Sequence, residues 1–375
     1  MEVSTLSSTN AAMRIMHVAS GDLWAGAEVQ LFTLVSALAA IEGNALYVVL
    51  LNEGELARRL RDIAVPVLVI DESHYGPKQI LSRLKAHMFS VKPHVVHTHR
   101  LKENIIGALA NTYSAKAYCV RTVHGAPEFS YSLIRQTPKW LISRLDKWVG
   151  RHLQHKVIAV SQPLSGLLQN IYPASHIAVV LNGVDVYALS SIKATELGRE
   201  GVKHVGIVGR LVPVKRVDLF LQMAKALVEQ ANDNYCFHII GDGPLLDDLK
   251  RQAAELGLKD VTFYGHREDA TALIKAMDVL VMCSDHEGLP MTALESVAIG
   301  TPMVAHAVGG LVPLLETLDA CELVEQHNAE AYAGAVLQVL KRMVSEVITL
   351  SLPDEYTAKG NAMAMMAIYR AGALV

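Results

Sequence analysis

Residues 278–300 read DVLVMCSDHEGLPMTALESVAIG. The opening apolar run predicts a strand and the polar stretch after it a loop. Pro290 stands as the first residue of a helix, where its missing N–H would be unpaired anyway, and Gly300 followed by Pro302 closes that helix. Glu287 therefore falls in the loop, and Glu295 lies about a turn and a half into the helix. Unpaired backbone N–H groups at such a helix start attract an anion, and carboxylates flanking it can accept hydrogen bonds from sugar hydroxyls. A diphosphate-linked sugar would suit the arrangement. Taken alone, the two glutamates are equally consistent with solvated surface charges, the usual state of an acid in a loop or on a helix.

The same strand, turn and helix rhythm recurs outward from this segment. Strand patterns fall at residues 204–208, 235–240, 261–264, 279–282 and 302–305, and an earlier block at 14–19, 46–51, 65–70, 94–97, 117–122 and 157–160. Short β-branched runs alternating with helical patterns are the signature of a parallel sheet covered by helices. The expected fold class is α/β, with two Rossmann-like, doubly wound domains facing each other across a cleft. Residues 1–12 read as a flexible N-terminus and 13–185 as the first domain. Residues 186–354 read as the second, with turn residues over 182–201 marking the linker. Ligands of such units sit beyond the carboxyl ends of the strands, so chemistry is sought in the loops that follow them.

Composition narrows the function classes. The chain has 375 residues, 51% hydrophobic and 19% charged, with a formal charge of -3. That is enough apolar material for two cores and too little positive charge for a nucleic-acid partner. Cys119, Cys236, Cys283 and Cys321 are far apart and form neither a disulfide framework nor a CxxC metal site. The scattered cysteines lead to the expectation of a cytoplasmic location, and no run approaches the roughly 20 apolar residues of a membrane span.

Other strand ends carry candidate ligands. Residues 206–216, GIVGRLVPVKR, put Arg210 and Lys215 beyond a strand, where a guanidinium fork and an ammonium can neutralise paired phosphates in place of a metal ion. Residues 238–244, HIIGDGP, and 263–269, FYGHRED, are strand-end loops whose backbone could meet a base edge, although plain turn chemistry explains Gly241 and Gly243 as well. Neither makes the G-x-G-x-x-G pattern of a dinucleotide enzyme. In the first block, residues 20–28, SGDLWAGAE, lead from a strand into a helix, with small residues that let backbone approach a ligand and Trp24 as a loop anchor or cleft wall. His97 and His99 share one strand face, which suggests metal, but no third ligand has a convincing position. His124, at a strand tip beside Gly125, is placed to hydrogen-bond a sugar hydroxyl or merely to cap the strand.

In this order the segments resemble glycosyltransferase family 4, over nearly the whole chain from about Met13. The family's E-x7-E signature matches Glu287 to Glu295 within EGLPMTALESVAIGTPMV, its G-R-L-x-x-x-K stretch matches Gly209 to Lys215, and its N-G-V-D linker motif matches Asn182 to Asp185. The resemblance implies the GT-B fold and a retaining, metal-independent transfer from a nucleotide-diphosphate sugar, UDP- or GDP-linked, with no tightly bound cofactor. It implies that Arg210 and Lys215 hold the donor diphosphate, that Glu295 binds the ribose, and that Glu287, with Gly288 and Leu289 beside it, meets the donor sugar. Gly26 would reach the phosphate and His124 the sugar from the opposite domain, and a helix within 355–375 would cross back to the first domain. Three departures stand out: Ala25 replaces the first of two glycines, His94 replaces an aspartate, and residues 311–315 are apolar where an acid usually follows Gly309 and Gly310.

A hexosyltransferase acting in cell-surface polysaccharide or glycolipid synthesis is the expected function. A sugar-nucleotide epimerase or hydrolase, or a non-catalytic binding subunit, is the alternative. Residues 129–156 interleave Arg135, Lys139, Arg144, Lys147, Arg151 and Lys156 with Trp140 and Trp148. Such a segment could rest on an anionic inner membrane face carrying a saccharide or lipid-linked acceptor, or pack on the first domain with a solvated basic side.

Overall fold

The computed structural model describes residues 12–125, 137–198, 201–230, 234–345 and 350–373. The expected flexible segment at residues 1–11 and residues 129–136 of the basic stretch lie outside them.

The first sheet has seven parallel strands: β1 (Met13–Ala19), β2 (Asn44–Leu50), β3 (Val67–Val69), β4 (Val95–His99), β5 (Tyr118–Val123), β6 (Lys156–Ala159) and β7 (Ile177–Val179). Their order is β3-β2-β1-β4-β5-β6-β7, so the winding reverses between β1 and β4. The connections run through α1 (Gly26–Ala39), α2 (Glu55–Asp62), α3 (Pro77–Val91), α4 (Leu101–Thr112), α5 (Thr137–His152) and α6 (Gln162–Leu168). After a short α7 (Val186–Ser190), a six-stranded parallel sheet forms from β8 (Lys203–Val208), β9 (Tyr235–Ile240), β10 (Val261–Gly265), β11 (Val279–Met282), β12 (Met303–His306) and β13 (Glu322–Val324). Its order is β10-β9-β8-β11-β12-β13, reversing between β8 and β11. Its helices are α8 (Val217–Gln230), α9 (Leu246–Glu255), α10 (Ala270–Lys275), α11 (Met291–Ile299), α12 (Leu311–Leu315) and α13 (Ala329–Ser345).

The strand patterns read from sequence are found with ends displaced by at most two residues, but β7 and β13 were not anticipated. Each has three residues and pairs along one side only; β3 is as short and also at an edge, but it lies within the longer apolar run 65–70 that made it legible.

α14 (Ala358–Ala373) leaves the second sheet and buries Ala362, Met365, Met366 and Tyr369 among Ile15, Leu31, Leu34 and Leu38 of the first. The chain thus crosses between domains twice, and the crossings touch. Val184 N–H donates to the Tyr356 carbonyl at 3.0 Å and Ala358 N–H to the Val184 carbonyl at 2.8 Å. A Cβ on Gly183 would stand 2.2 Å from the Thr357 carbonyl oxygen, so the N-G-V sequence is glycine where two backbones pass. Below the cleft one apolar cluster is shared by both sheets, joining Val157, Val160 and Leu164 to Leu280, Met282, Leu289 and Leu294.

Candidate active site

The second domain's loops meet at the β8/β11 reversal, where a doubly wound sheet opens its crevice. Beyond β8, Gly209 (φ 156°) turns the chain and Lys215 closes a single 3₁₀ turn, Pro213–Lys215. Beyond β11, the loop carries Glu287, whose side chain is 9% exposed, and its Oε1 accepts a hydrogen bond from Lys215 Nζ at 2.6 Å. Glu287 and Lys215, distant in sequence, therefore form one ion pair. Arg210 is exposed beside it and has no side-chain partner among the described residues. Arg216 is not a free surface charge: it takes a left-handed conformation (φ 50°) and pairs with Asp218 at 3.1 Å and Asp285 at 3.3 Å.

Glycines let these loops stack. A Cβ on Gly309 would lie 1.8 Å from the Glu287 carbonyl oxygen, and one on Gly310 2.3 Å from that of Gly288, whose oxygen accepts from Gly310 N–H at 2.7 Å. Gly241 and Gly243 do the same under the β8 loop, where added Cβ atoms would stand 1.9 Å from the Gly209 and 2.5 Å from the Leu211 carbonyl oxygens. Gly241 N–H donates to the Gly265 carbonyl at 2.8 Å, and the Asp242 carbonyl accepts from Leu211 N–H at 2.9 Å. These bonds hold neighbouring loops together and occupy the Gly241 N–H and the Asp242 carbonyl.

Pro290 is the N-cap of α11 and not its first residue. Its φ of -72° and ψ of 133° are extended, and no side chain caps the helix, which leaves the first N–H groups of α11 facing the cleft. Glu295 lies on α11 facing α10, with Thr271 Oγ1 at 3.5 Å from its Oε2. Burial pushes its carboxyl up to about 7, with the Thr271 hydrogen bond opposing. The folded chain therefore holds this proton to about pH 7, whereas the unfolded chain releases it in the ordinary carboxyl range. Between those pH values the folded state binds more protons, and stability falls as pH rises. Glu295→Gln removes that loss. Its melting temperature is expected to exceed wild type at pH 8 and to converge with it near pH 4, and a gain that instead grew toward acid pH would contradict the buried carboxyl.

Across the cleft, α1 begins at Gly26 after Ala25, an extended N-cap with no side-chain hydrogen bond. A Cβ on Gly26 would come 4.0 Å from Met291 Cγ, so the N-termini of α1 and α11 oppose each other. Gly288 is buried against the first domain, where its Cβ would stand 2.2 Å from the His124 carbonyl oxygen. Asn182 Nδ2 donates to the Leu289 carbonyl at 2.7 Å and ties the linker to the same loop. The fold thus gathers Gly26, His124, Lys215, Glu287, Gly288 and Leu289 around one opening. Trp24 is a packed loop anchor, edge-on to Phe32 with the Arg59 guanidinium 4.5 Å from its ring centre.

The first domain holds groups that sequence reasoning missed. A third histidine, His17 on β1, stands in register with His97 on β4, contrary to the expectation that His97 and His99 lack a further partner. Nitrogen atoms of His17, His97 and His99 all lie within 4.8 Å of one another, close enough to surround one ion. All but one of these ring nitrogens are engaged with protein groups: His97 Nδ1 lies 2.5 Å from the Tyr369 hydroxyl and its Nε2 2.8 Å from Thr122 Oγ1, His17 Nδ1 lies 3.1 Å from His99 Nε2, and His99 Nδ1 lies 3.3 Å from His124 Nε2, while His17 Nε2 has no partner. Burial pushes His17 down to about 3 and His124 to about 4, and His97 and His99 well below their ordinary value. The cluster is neutral at physiological pH. The only sequence signal for His17 was its place on the strand that a doubly wound sheet sets beside β4.

Arg100 was likewise missed. It follows β4 at φ 66° and ψ 170°, a region costly for any residue with a Cβ, and its guanidinium holds Glu28 at 2.7 Å and Asp22 at 3.2 Å. That pairing ties the start of α1 to the end of β4. Strain held at such an edge is typical of a functional surface.

Two facing Rossmann-like domains, with an ion-paired Lys and Glu at one reversal point and helix N-termini meeting across the opening, define a GT-B transferase. Family models agree: Glycosyltransferase Family 4 matches residues 24–187 and Glycosyl transferases group 1 matches residues 190–346. The chain belongs to the GT-B glycosyltransferases of the family 4 type and is a glycosyltransferase enzyme. It is 27% identical over 302 residues to the UDP-Gal:alpha-D-GlcNAc-diphosphoundecaprenol alpha-1,3-galactosyltransferase of Escherichia coli, 77% of each chain. It is 30% identical over 217 residues to a D-inositol 3-phosphate glycosyltransferase of Corynebacterium urealyticum, covering 52% of this chain and 51% of that one. In fold it is similar to Anabaena HepE, solved with UDP-glucose, with a TM-score of 0.74, 21% identity and coverage of 96% and 95%.

Proposed function

We propose that this chain transfers a hexose from a UDP- or GDP-linked donor, with retention of configuration and without a metal ion, to a saccharide or lipid-linked acceptor in cell-surface polysaccharide or glycolipid synthesis. Residues 13–185 act as the acceptor-side domain and 186–354 as the donor-side domain. The single observation that carries this reading is the Lys215–Glu287 pair at the β8/β11 reversal, facing the uncapped start of α11. A UDP-linked donor is favoured by the UDP-sugar names and ligands of the relatives.

In this mechanism the diphosphate lies between the N-termini of α1 and α11. As the anomeric bond breaks, positive charge grows on the sugar and negative charge on the departing phosphate, and Lys215, Arg210 and the helix N–H groups stabilise the latter. Glu287 holds Lys215 in place and accepts from the donor sugar, Gly288 and Leu289 shape the sugar site, and Glu295 accepts from the ribose. His124 contacts the sugar from the first domain. The acceptor hydroxyl attacks from the face the phosphate leaves, and the departing phosphate oxygen takes its proton.

A thermal-shift screen of UDP, GDP and their hexosides tests the donor. At a ligand concentration of 100 Kd, one-site binding stabilises the folded state by about 2.7 kcal/mol, a readily measured rise in melting temperature. UDP-hexoses are expected to produce that rise and GDP not to, and no response to any nucleotide would remove the reading. NMR of the anomeric proton in the product then decides retention.

Location at a membrane face is part of the proposal. On α5, Leu141, Ile142, Leu145 and Trp148 are exposed, with Arg144, Lys147 and Arg151 beside them. Among the described residues no helix is long and apolar enough to cross a membrane, so the contact would be peripheral. Flotation with liposomes is expected to carry the chain up when anionic lipid is present and to lose it with Trp148→Ser plus Leu145→Ser. Equal flotation without anionic lipid, or none at all, would overturn this part.

A further inference from the structure

The proposed transfer uses His124 alone of the imidazoles in the first sheet, yet His124 is the outer end of a chain. His99 Nδ1 lies 3.3 Å from His124 Nε2, and His99 Nε2 lies 3.1 Å from His17 Nδ1. The three rings run from the core at β1 through β4 to the tip of β5. His17 is fully buried and His99 3% exposed, while His124 is half-buried at the cleft with its carbonyl against Gly288.

A neutral imidazole has one N–H and one bare nitrogen. His99 uses both nitrogens, so it donates at one and accepts at the other, and the direction it takes is forced on its neighbours. If the donors point outward, His17 Nδ1–H donates to His99 Nε2, His99 Nδ1–H donates to His124 Nε2, and His124 keeps its proton on Nδ1. If they point inward, all three reverse and an N–H is left on His17 Nε2. That atom is buried with no hydrogen-bond partner, and an orphaned buried donor is the rarer defect compared with an under-used acceptor. His97 cannot interfere, because Tyr369 and Thr122 occupy its nitrogens and its ring stacks on His99 with 4.4 Å between centres.

We infer that His17 and His99 are positioning residues that hold His124 in the Nδ1–H tautomer, so that it offers the cleft a hydrogen-bond donor matched to a sugar or phosphate oxygen. The inference rests on the transfer reading only for its effect on turnover. The relay itself is read without substrate, from the nitrogen resonances of protein labelled with ¹⁵N-histidine, with the His124 signals identified by their loss in His124→Gln. The wild-type chain is expected to show His124 protonated on Nδ1 and bare on Nε2, and His17 bare on Nε2. In His17→Leu the His124 signals move to a mixture of tautomers, and kcat falls about tenfold at unchanged donor KM, a fraction of the roughly 10⁴-fold loss that a wrong tautomer causes at a catalytic imidazole. His17→Asn, whose amide N–H replaces Nδ1–H, restores both. A wild-type His124 protonated on Nε2, or a His17→Leu variant that melts like wild type with unaltered His124 signals, overturns the relay. Should His17→Leu fail to fold, the wild-type spectrum still decides. Absence of any transfer by the wild-type chain would overturn the transfer reading and leave the tautomer result standing.

Discussion

Lys215→Ala is expected to lower kcat/KM by about 10²- to 10³-fold, the loss seen when one preorganised charge-stabilising donor is removed from a transition state, or roughly 3–4 kcal/mol. Lys215 has no obvious substitute. Arg210 is exposed with no side-chain partner among the described residues, whereas Lys215 is fixed by a 2.6 Å hydrogen bond to a carboxylate that is itself 9% exposed. A charge held in place before the reaction stabilises the leaving diphosphate without reorganisation; a mobile one does so less well. Lys215→Arg is expected to recover only part of the activity, because a planar fork does not fit where a point charge sits. The substitution also leaves Glu287 without its partner, so melting temperature and circular dichroism must accompany the kinetics. A folded Lys215→Ala variant with near-wild-type turnover would remove the leaving-group role assigned here.

Gly288→Ala is expected to be nearly as severe for a different reason. The added methyl would stand 2.2 Å from the His124 carbonyl oxygen and 3.1 Å from Val160 Cγ2, both on the other domain. Neither neighbour is the flexible end of a side chain that could swing away. The loop of Glu287, or the whole second domain, must retreat by about an ångström, and a misplacement of that size can cost on the order of 10²-fold in rate. Turnover should fall while secondary structure stays intact. Gly334→Ala is the control: it lies in α13 with nothing within 4 Å of its Cβ and is expected to be neutral or slightly stabilising. Equal kinetics for Gly288→Ala and Gly334→Ala would mean that the closed contact between Gly288 and His124 is not the one in which transfer occurs.

Legibility followed the range of the interactions. The strand, loop and helix around Glu287 and Glu295 could be read because proline, glycine and apolar period act within a few residues, and the alternation of such units fixed a parallel, doubly wound architecture. Of the three-residue edge strands, β3 could be read because it lies within the apolar run 65–70, whereas β7 and β13 were missed. The second histidine neighbour of His99 was invisible because β1 and β4 pair across about eighty residues of chain. The departures at residues 311–315 stood out in sequence, but Gly309 and Gly310 before them turned out to matter as space for the Glu287 loop.

By itself, then, the sequence determined the two βα-rich domains, the loops that bear chemistry, and the acids and bases in them, because these depend on local propensity and hydrophobic period. Only the tertiary structure decided how those residues act. It paired Lys215 with Glu287 and set Glu295 half-buried against α10, where desolvation raises its carboxyl to about 7. It also set Gly288 against His124 across the cleft and lined up His17, His99 and His124 in one hydrogen-bonded row. Burial, charge pairing and close backbone contact depend on which distant segments meet, and that is settled only when both sheets and the helix crossing between them are packed together.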